Sequence, residues 1–313
     1  MKKLSLIIIC LISTLLTSCT TMSDLNKPEN SFEGKFLPIG KAIYASDKKE
    51  VIHLLTNSEI SIDSVGNGGK SGKPTFLMYA ILLEKEEMVA ILLELGANPN
   101  QRCLLTNQNK TNDSKTGVPL IYHETNPLNR ASFSIENIQT AKNICELLIN
   151  HGADINGWGS YYDAPLKNAV LGHEGENAKA MVKFFLSKGA DINAYLDKSG
   201  STILNSISGE WQLVDYLLEE GANPKILDFT GWDFMWEVED RLSTAPAERR
   251  PALEALKSRL VREYGMSYPP IQNKKMGNEI REVEYQKKGW FYDKNGKLII
   301  PEKEVVYDEL RGN

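Results

Sequence analysis

The sequence has no excess of basic residues, few cysteines and histidines, and no apolar run long enough to span a bilayer. Lysine and arginine together number 36 against 41 acidic residues, a formal charge of −5, so the basic face expected of a nucleic-acid binder is missing. The histidines are His53, His123, His151 and His173. No two of them stand four residues apart, and no cysteine or carboxylate cluster completes a metal site. There is no Gly-x-Ser-x-Gly elbow, no phosphate-cradling glycine loop and no papain-like cysteine context. Nothing in the sequence supports catalysis, a cofactor or a metal. The apolar stretch from Leu4 to Leu16 falls short of the ~20 residues that a membrane helix needs.

What the sequence does have is a recurring phrase. Leu217-Leu218-Glu219-Glu220-Gly221-Ala222-Asn223-Pro224 returns as Leu92-Leu93-Glu94-Leu95-Gly96-Ala97-Asn98-Pro99. It returns again as Leu148-Ile149-Asn150-His151-Gly152-Ala153-Asp154 and Phe185-Leu186-Ser187-Lys188-Gly189-Ala190-Asp191. Each copy reads as an apolar helix end, a glycine stop, and Asp or Asn leading into a turn. The glycines are spaced by 56, 37 and 32 residues. A period of about 33 residues with insertions resembles the ankyrin repeat. The openings agree in phase: Thr75-Phe76-Leu77-Met78-Tyr79-Ala80, Asn126-Pro127-Leu128-Asn129-Arg130-Ala131 and Ala164-Pro165-Leu166-Lys167-Asn168-Ala169 follow the family phrase Thr-Pro-Leu-His-x-Ala, with Phe76 for its Pro and Met78 for its His.

The resemblance implies an all-α ankyrin-repeat solenoid of about six repeats over residues 36–265, one elongated array rather than two compact domains. The first repeat, Phe36 to Ser61, lacks the glycine stop. The sixth is also degenerate: Asp228-Phe229-Thr230-Gly231-Trp232 keeps the finger, while Arg249, Arg250, Lys257, Arg259 and Arg262 make the last helix polar outside, as a capping repeat requires. Residues 102–122 form an insertion with no helical or strand period, either functional or disordered. In the tail, 266–313, two apolar-aromatic runs around Asn295-Gly296 predict a short β-hairpin. A hairpin is marginal alone, so it should lie against the array or against a partner. Cys145 falls on the inward face of a helix, where a buried free thiol is the expectation; a bridge to Cys103 is the alternative. His151, in the last turn of a helix, is placed to cap its carbonyls.

At the amino terminus, Met1-Lys2-Lys3 followed by the apolar run reads as a secretory signal peptide over residues 1–18. Leu16-Thr17-Ser18-Cys19 resembles the lipobox of bacterial lipoproteins, which implies lipidation of Cys19. Thr20, where that family's inner-membrane retention signal has Asp, implies attachment to the outer membrane, facing the periplasm. Loss of Lys2 and Lys3 with the signal would leave 34 basic and 41 acidic residues, a charge of −7. Residues 19–35 are expected to be a flexible tether. A start at Met22 would give a minor unanchored cytosolic form.

Stacked helix pairs bind proteins, and the fingers between a helix stop and the next repeat are where the family reads its partners. Trp158, Tyr161, Tyr162, Tyr195, Phe229 and Trp232 stand there, and Trp and Tyr are enriched among interface hot spots. The combination of lipobox, array and hairpin tail resembles the ankyrin lipoproteins that are immunity proteins to type VI secretion phospholipase effectors. That resemblance implies a secreted phospholipase as partner. The alternative is an envelope scaffold that tethers or protects a resident periplasmic enzyme; neighbouring genes distinguish the two. An enzyme built into the insertion or tail would need a convergent acid, base or nucleophile set.

Overall fold

In the computed structural model, the described residues are 26–68, 72–106, 122–157, 164–207 and 212–299. Helices come in pairs: α1 (Leu37–Ala45) with α2 (Lys48–Thr56), α3 (Phe76–Leu82) with α4 (Glu86–Glu94), α5 (Pro127–Ser134) with α6 (Ile138–Asn150), and α7 (Pro165–Leu171) with α8 (Gly175–Ser187). In the fifth unit a hydrogen-bonded turn at Thr202–Ile207 precedes α9 (Gln212–Glu219). The sixth pairs α10 (Phe234–Thr244) with α11 (Arg250–Tyr264), and α12 (Lys274–Lys287) follows. First helices stack on first helices and second on second along units one to four. The inward side chains, such as Leu77, Met88, Leu128, Cys145, Leu166 and Phe185, join one continuous buried core, each large side chain contributing about 2 kcal/mol.

The recurring phrase ends each second helix in the same way. Ala97, Ala153, Ala190 and Ala222 donate their N–H back to Leu92, Leu148, Phe185 and Leu217 at 2.9–3.0 Å. The glycine before each has φ of 91–96°, and an added Cβ there would meet nothing within 4 Å. Backbone conformation, not crowding, requires glycine at these stops. At the ends of α1 and α3, by contrast, non-glycine residues hold the left-handed conformation: Ser46 at φ 58° and Glu84 at φ 54°. Glu84→Gly is expected to raise stability by about 1 kcal/mol, read as a higher urea midpoint at unchanged slope.

Beyond each stop, an asparagine ladder ties successive fingers together. The Asp63, Asn100, Asn156 and Asn193 side chains accept from the N–H groups of Asn98, Asp154, Asp191 and Asn223 at 2.8–3.0 Å. Asn100 and Asn193 also donate to the carbonyls of Gly152 and Gly221. Where the next rung would stand, the chain has Lys225.

Three expectations change. The tether is docked from Asn26 onward: Phe32 is 0% exposed and lies against Phe76 and Tyr79 with ring centroids 5.2 and 5.0 Å away. The Tyr79 hydroxyl donates to the Asn26 carbonyl at 2.6 Å, and Gly68 N–H donates to the Ser31 carbonyl at 3.0 Å. The insertion is rooted in a sheet: β1 (Gly72–Lys73), β2 (Cys103–Thr106) and β3 (Tyr122–Thr125) pair antiparallel in that order, with Cys103 opposite Thr125 and Thr106 opposite Tyr122. Residues 107–121 lie outside the described residues. The tail carries a 14-residue helix, α12, before its hairpin, β4 (Phe291–Tyr292) against β5 (Leu298–Ile299). In that hairpin the Asp293 carboxylate accepts from the Asn295 and Lys297 N–H groups. Cys103 and Cys145 are buried thiols not joined by a disulfide, and they lie in separate apolar clusters. His151 Nδ1 is 2.8 Å from the Leu147 carbonyl, the capping contact its position implies.

Candidate partner-binding surfaces

The fingers of units five and six are each built around an aspartate. Asp197 accepts from the N–H groups of Ser199 and Ser201 at 2.7 and 3.1 Å. Asp228 accepts from those of Thr230 and Trp232 at 2.8 and 3.0 Å. Asp197 also pairs with Lys167 at 2.6 Å, both side chains largely buried. Burial pushes the Asp197 carboxyl up, but the Lys167 ammonium together with Ser201 outweighs it and holds the group below its ordinary value. A carboxyl depressed in the folded state adds stability at neutral pH that is lost as pH falls below about 4. Asp197→Asn is therefore expected to cost about 2 kcal/mol at pH 7 and progressively less as pH falls below about 4, measured by urea midpoints across that range.

The finger aromatics do not share one fate. Tyr195 is half-buried, donates its hydroxyl to the Leu227 carbonyl at 3.1 Å and lies 5.0 Å from the Phe229 ring. Phe229 is 2% exposed, sandwiched between Tyr195 and Tyr285 of α12, so the expectation that it faces a partner is corrected: it packs the chain's own tail. Trp232 is half-buried and stacks on Trp236 at 5.9 Å. Trp158, Tyr161 and Tyr162 lie outside the described residues, as does Cys19.

The tail runs across these fingers. Asn273 N–H donates to the Gly231 carbonyl at 2.8 Å, Gln272 to the Thr230 carbonyl at 3.0 Å, and the Tyr285 hydroxyl to the Lys198 carbonyl at 3.0 Å. A Cβ on Gly277 would sit 2.4 Å from Gly231 N, and one on Gly231 would sit 2.2 Å from the Asn273 carbonyl oxygen. The two backbones touch only because both residues are glycine.

A second surface escaped the sequence reading. Counting seven residues from the start of each opening phrase gives Leu82, Phe133 and Leu171, and the same count from Leu37 at the start of α1 gives Tyr44, all in the last turns of four successive first helices. Leu82 is half-covered by the Cys103–Leu105 cluster, while Tyr44, Phe133 and Leu171 are 41%, 45% and 40% exposed. The in-phase spacing was available in the sequence, but exposure was not, because the openings read only as core.

No protein-family model matches the chain. It is 39% identical over 90 residues to an ankyrin repeat protein of Rickettsia bellii (strain RML369-C), a stretch that covers 28% of this chain and 12% of that protein. It is also similar to the crystal structure of an ankyrin repeat domain from Acinetobacter baumannii AYE, with 22% identity, a TM-score of 0.48, and coverage of 71% of this chain and 98% of that one. With glycine-stopped helix pairs, stacked in phase and joined by projecting fingers, the array is an ankyrin-repeat solenoid.

Proposed function

We propose that this chain is a lipid-anchored envelope protein that binds and neutralises a secreted phospholipase effector. The reading rests on one conjunction: Leu16-Thr17-Ser18-Cys19 ahead of an ankyrin-repeat array. A lipid on Cys19 would hold a binding array at the outer membrane, facing the periplasm, where such a toxin meets its substrate. The array then acts by covering the enzyme's active-site entrance or its membrane-docking face, and needs no chemistry of its own. A fold of this kind hosts many partners, so the partner's identity is part of the proposal.

The test is direct. The mature chain, mixed with a lipase encoded beside it, should form a stable complex and abolish lipid hydrolysis; absence of a complex refutes the reading. Metabolic labelling with a fatty acid should mark the wild type and leave Cys19→Ala unlabelled. If Trp158→Ala leaves partner affinity unchanged, the assignment of that finger is wrong.

A further inference from the structure

About 10 Å along the first helices from their finger ends, units two to four repeat a pair of features. Each first helix carries an apolar side chain in its last turn, Leu82, Phe133 or Leu171, and the turn behind it carries an acid, Glu84, Glu136 or Glu174, with Glu176 just beyond. A Cβ on Gly172 would lie 2.1 Å from the Phe133 carbonyl oxygen. The turn of unit four therefore rests with its backbone on the end of α5 at Phe133, one residue beyond Leu171. Elsewhere on the array acids are taken up in ion pairs between units, Glu87 with Lys48 and Glu146 with Lys188. Among the described residues no ion pair engages the carboxylates of Glu84, Glu136, Glu174 or Glu176. Of the nearby cations, Lys85 donates to Ser46 Oγ at 2.5 Å, and Arg130 is half-buried. The Glu84 carboxyl is pushed above its ordinary value by burial and then by the charge of Glu136, with Arg130 opposing. Exposed acids in the turns of three successive units, beside the exposed apolar carbon of Phe133 and Leu171, give this edge a negative, apolar face.

We propose that this edge of units two to four docks a protein segment in which lysine or arginine flanks apolar side chains. It rests on the preceding reading in that the segment belongs to the chain's protein partner. Apolar side chains of that segment cover Phe133 and Leu171, and its cations take the carboxylates of Glu84, Glu136 and Glu174. The face disfavours an acidic segment and an anionic lipid surface by the same electrostatics.

The probe is a 12-residue peptide of alternating leucine and lysine, titrated into the full chain in detergent, with a leucine–glutamate peptide as its counterpart. Expected is a Kd on the order of 10–100 µM for the lysine peptide, weakening with salt, and no binding of the glutamate peptide. Glu136→Lys with Glu174→Lys, and separately Phe133→Ser with Leu171→Ser, should each weaken it by tenfold or more at unchanged urea midpoint. Equal binding of the lysine peptide to the wild type and to the charge-reversed pair overturns the proposal. So does no binding, equal binding of both peptides, or a dimer of the wild type that the Phe133→Ser, Leu171→Ser pair dissolves. A neighbouring lipase that binds both variant pairs as tightly as the wild type sinks this inference and leaves the proposed function standing; a lipase that binds none of them sinks the proposed function, and the peptide titration still decides the inference.

Discussion

Replacing Phe32 with alanine should cost the folded chain about 3–5 kcal/mol, the loss of a fully buried aromatic side chain, although Phe32 stands before the first repeat. Its ring lies against Phe76 and Tyr79, and Gly40 approaches it so closely that an added Cβ would meet the ring at 2.5 Å. The walls cannot collapse onto the vacated space, because Phe76 and Tyr79 belong to a helix fixed on its other side by Leu77, Ala80 and Ile81. Amide exchange at Gly68, which donates to the Ser31 carbonyl, should accelerate in the same variant. Lys35→Ala, on the exposed side of the same segment, should stay within about 0.5 kcal/mol. A urea midpoint equal to the wild type for Phe32→Ala would restore the flexible tether.

Gly277→Ala should be destabilising by about 3 kcal/mol, against the sign that helix propensity gives. In a helix interior alanine is better than glycine by about 1 kcal/mol, so a free α12 would gain from the change. A docked α12 cannot: the new Cβ would meet Gly231 N at 2.4 Å and Gly231 Cα at 2.8 Å, and both belong to a finger held rigid by Asp228. The helix must lift away, releasing Tyr285 from Phe229 and from the Lys198 carbonyl. Limited proteolysis should then cut within residues 274–299 while the array remains intact. The neighbouring Asn278→Ala, on an exposed position, serves as control and should be neutral or slightly stabilising.

The sequence disclosed the solenoid because its signals are local and repeated. A glycine that must adopt positive φ, and a helix opening with Thr, Asn or Ala ahead of an apolar face, recur in phase and reinforce one another. The α12 helix was missed because its buried face is thin. Gly277 and Tyr285 are its buried residues, too few to give an apolar stripe, and glycine in a helix reads as a break although here it marks a close approach. The β2–β3 pair was missed because Cys103-Leu104-Leu105 is buried throughout and so lacks the alternation of a half-exposed strand. Phe32 carried no periodic signal at all, being a single aromatic residue in a polar stretch. The finger aromatics show the complementary limit. Phe229 and Tyr195 are large and lie in finger loops, which suits an interface as well as it suits a tail, and only the position of Tyr285 decides between them.

The asparagine ladder has a consequence for how such a chain could change length. Every rung from Asn98 to Asn223 makes the same connection to the unit before it, so a unit cut between two rungs presents matching halves at both ends. A duplicated stretch from Asn156 to Ile192 would carry both halves of its own rung, the Asn156 side chain and the Asp191 N–H, and leave the rungs on either side intact. At Lys225 this interchangeability stops, because the side chain there cannot accept a hydrogen bond and the following finger is held by Asn273 of the tail instead. The ladder therefore carries through a splice made before Lys225, whereas the last finger and the tail must be inherited together.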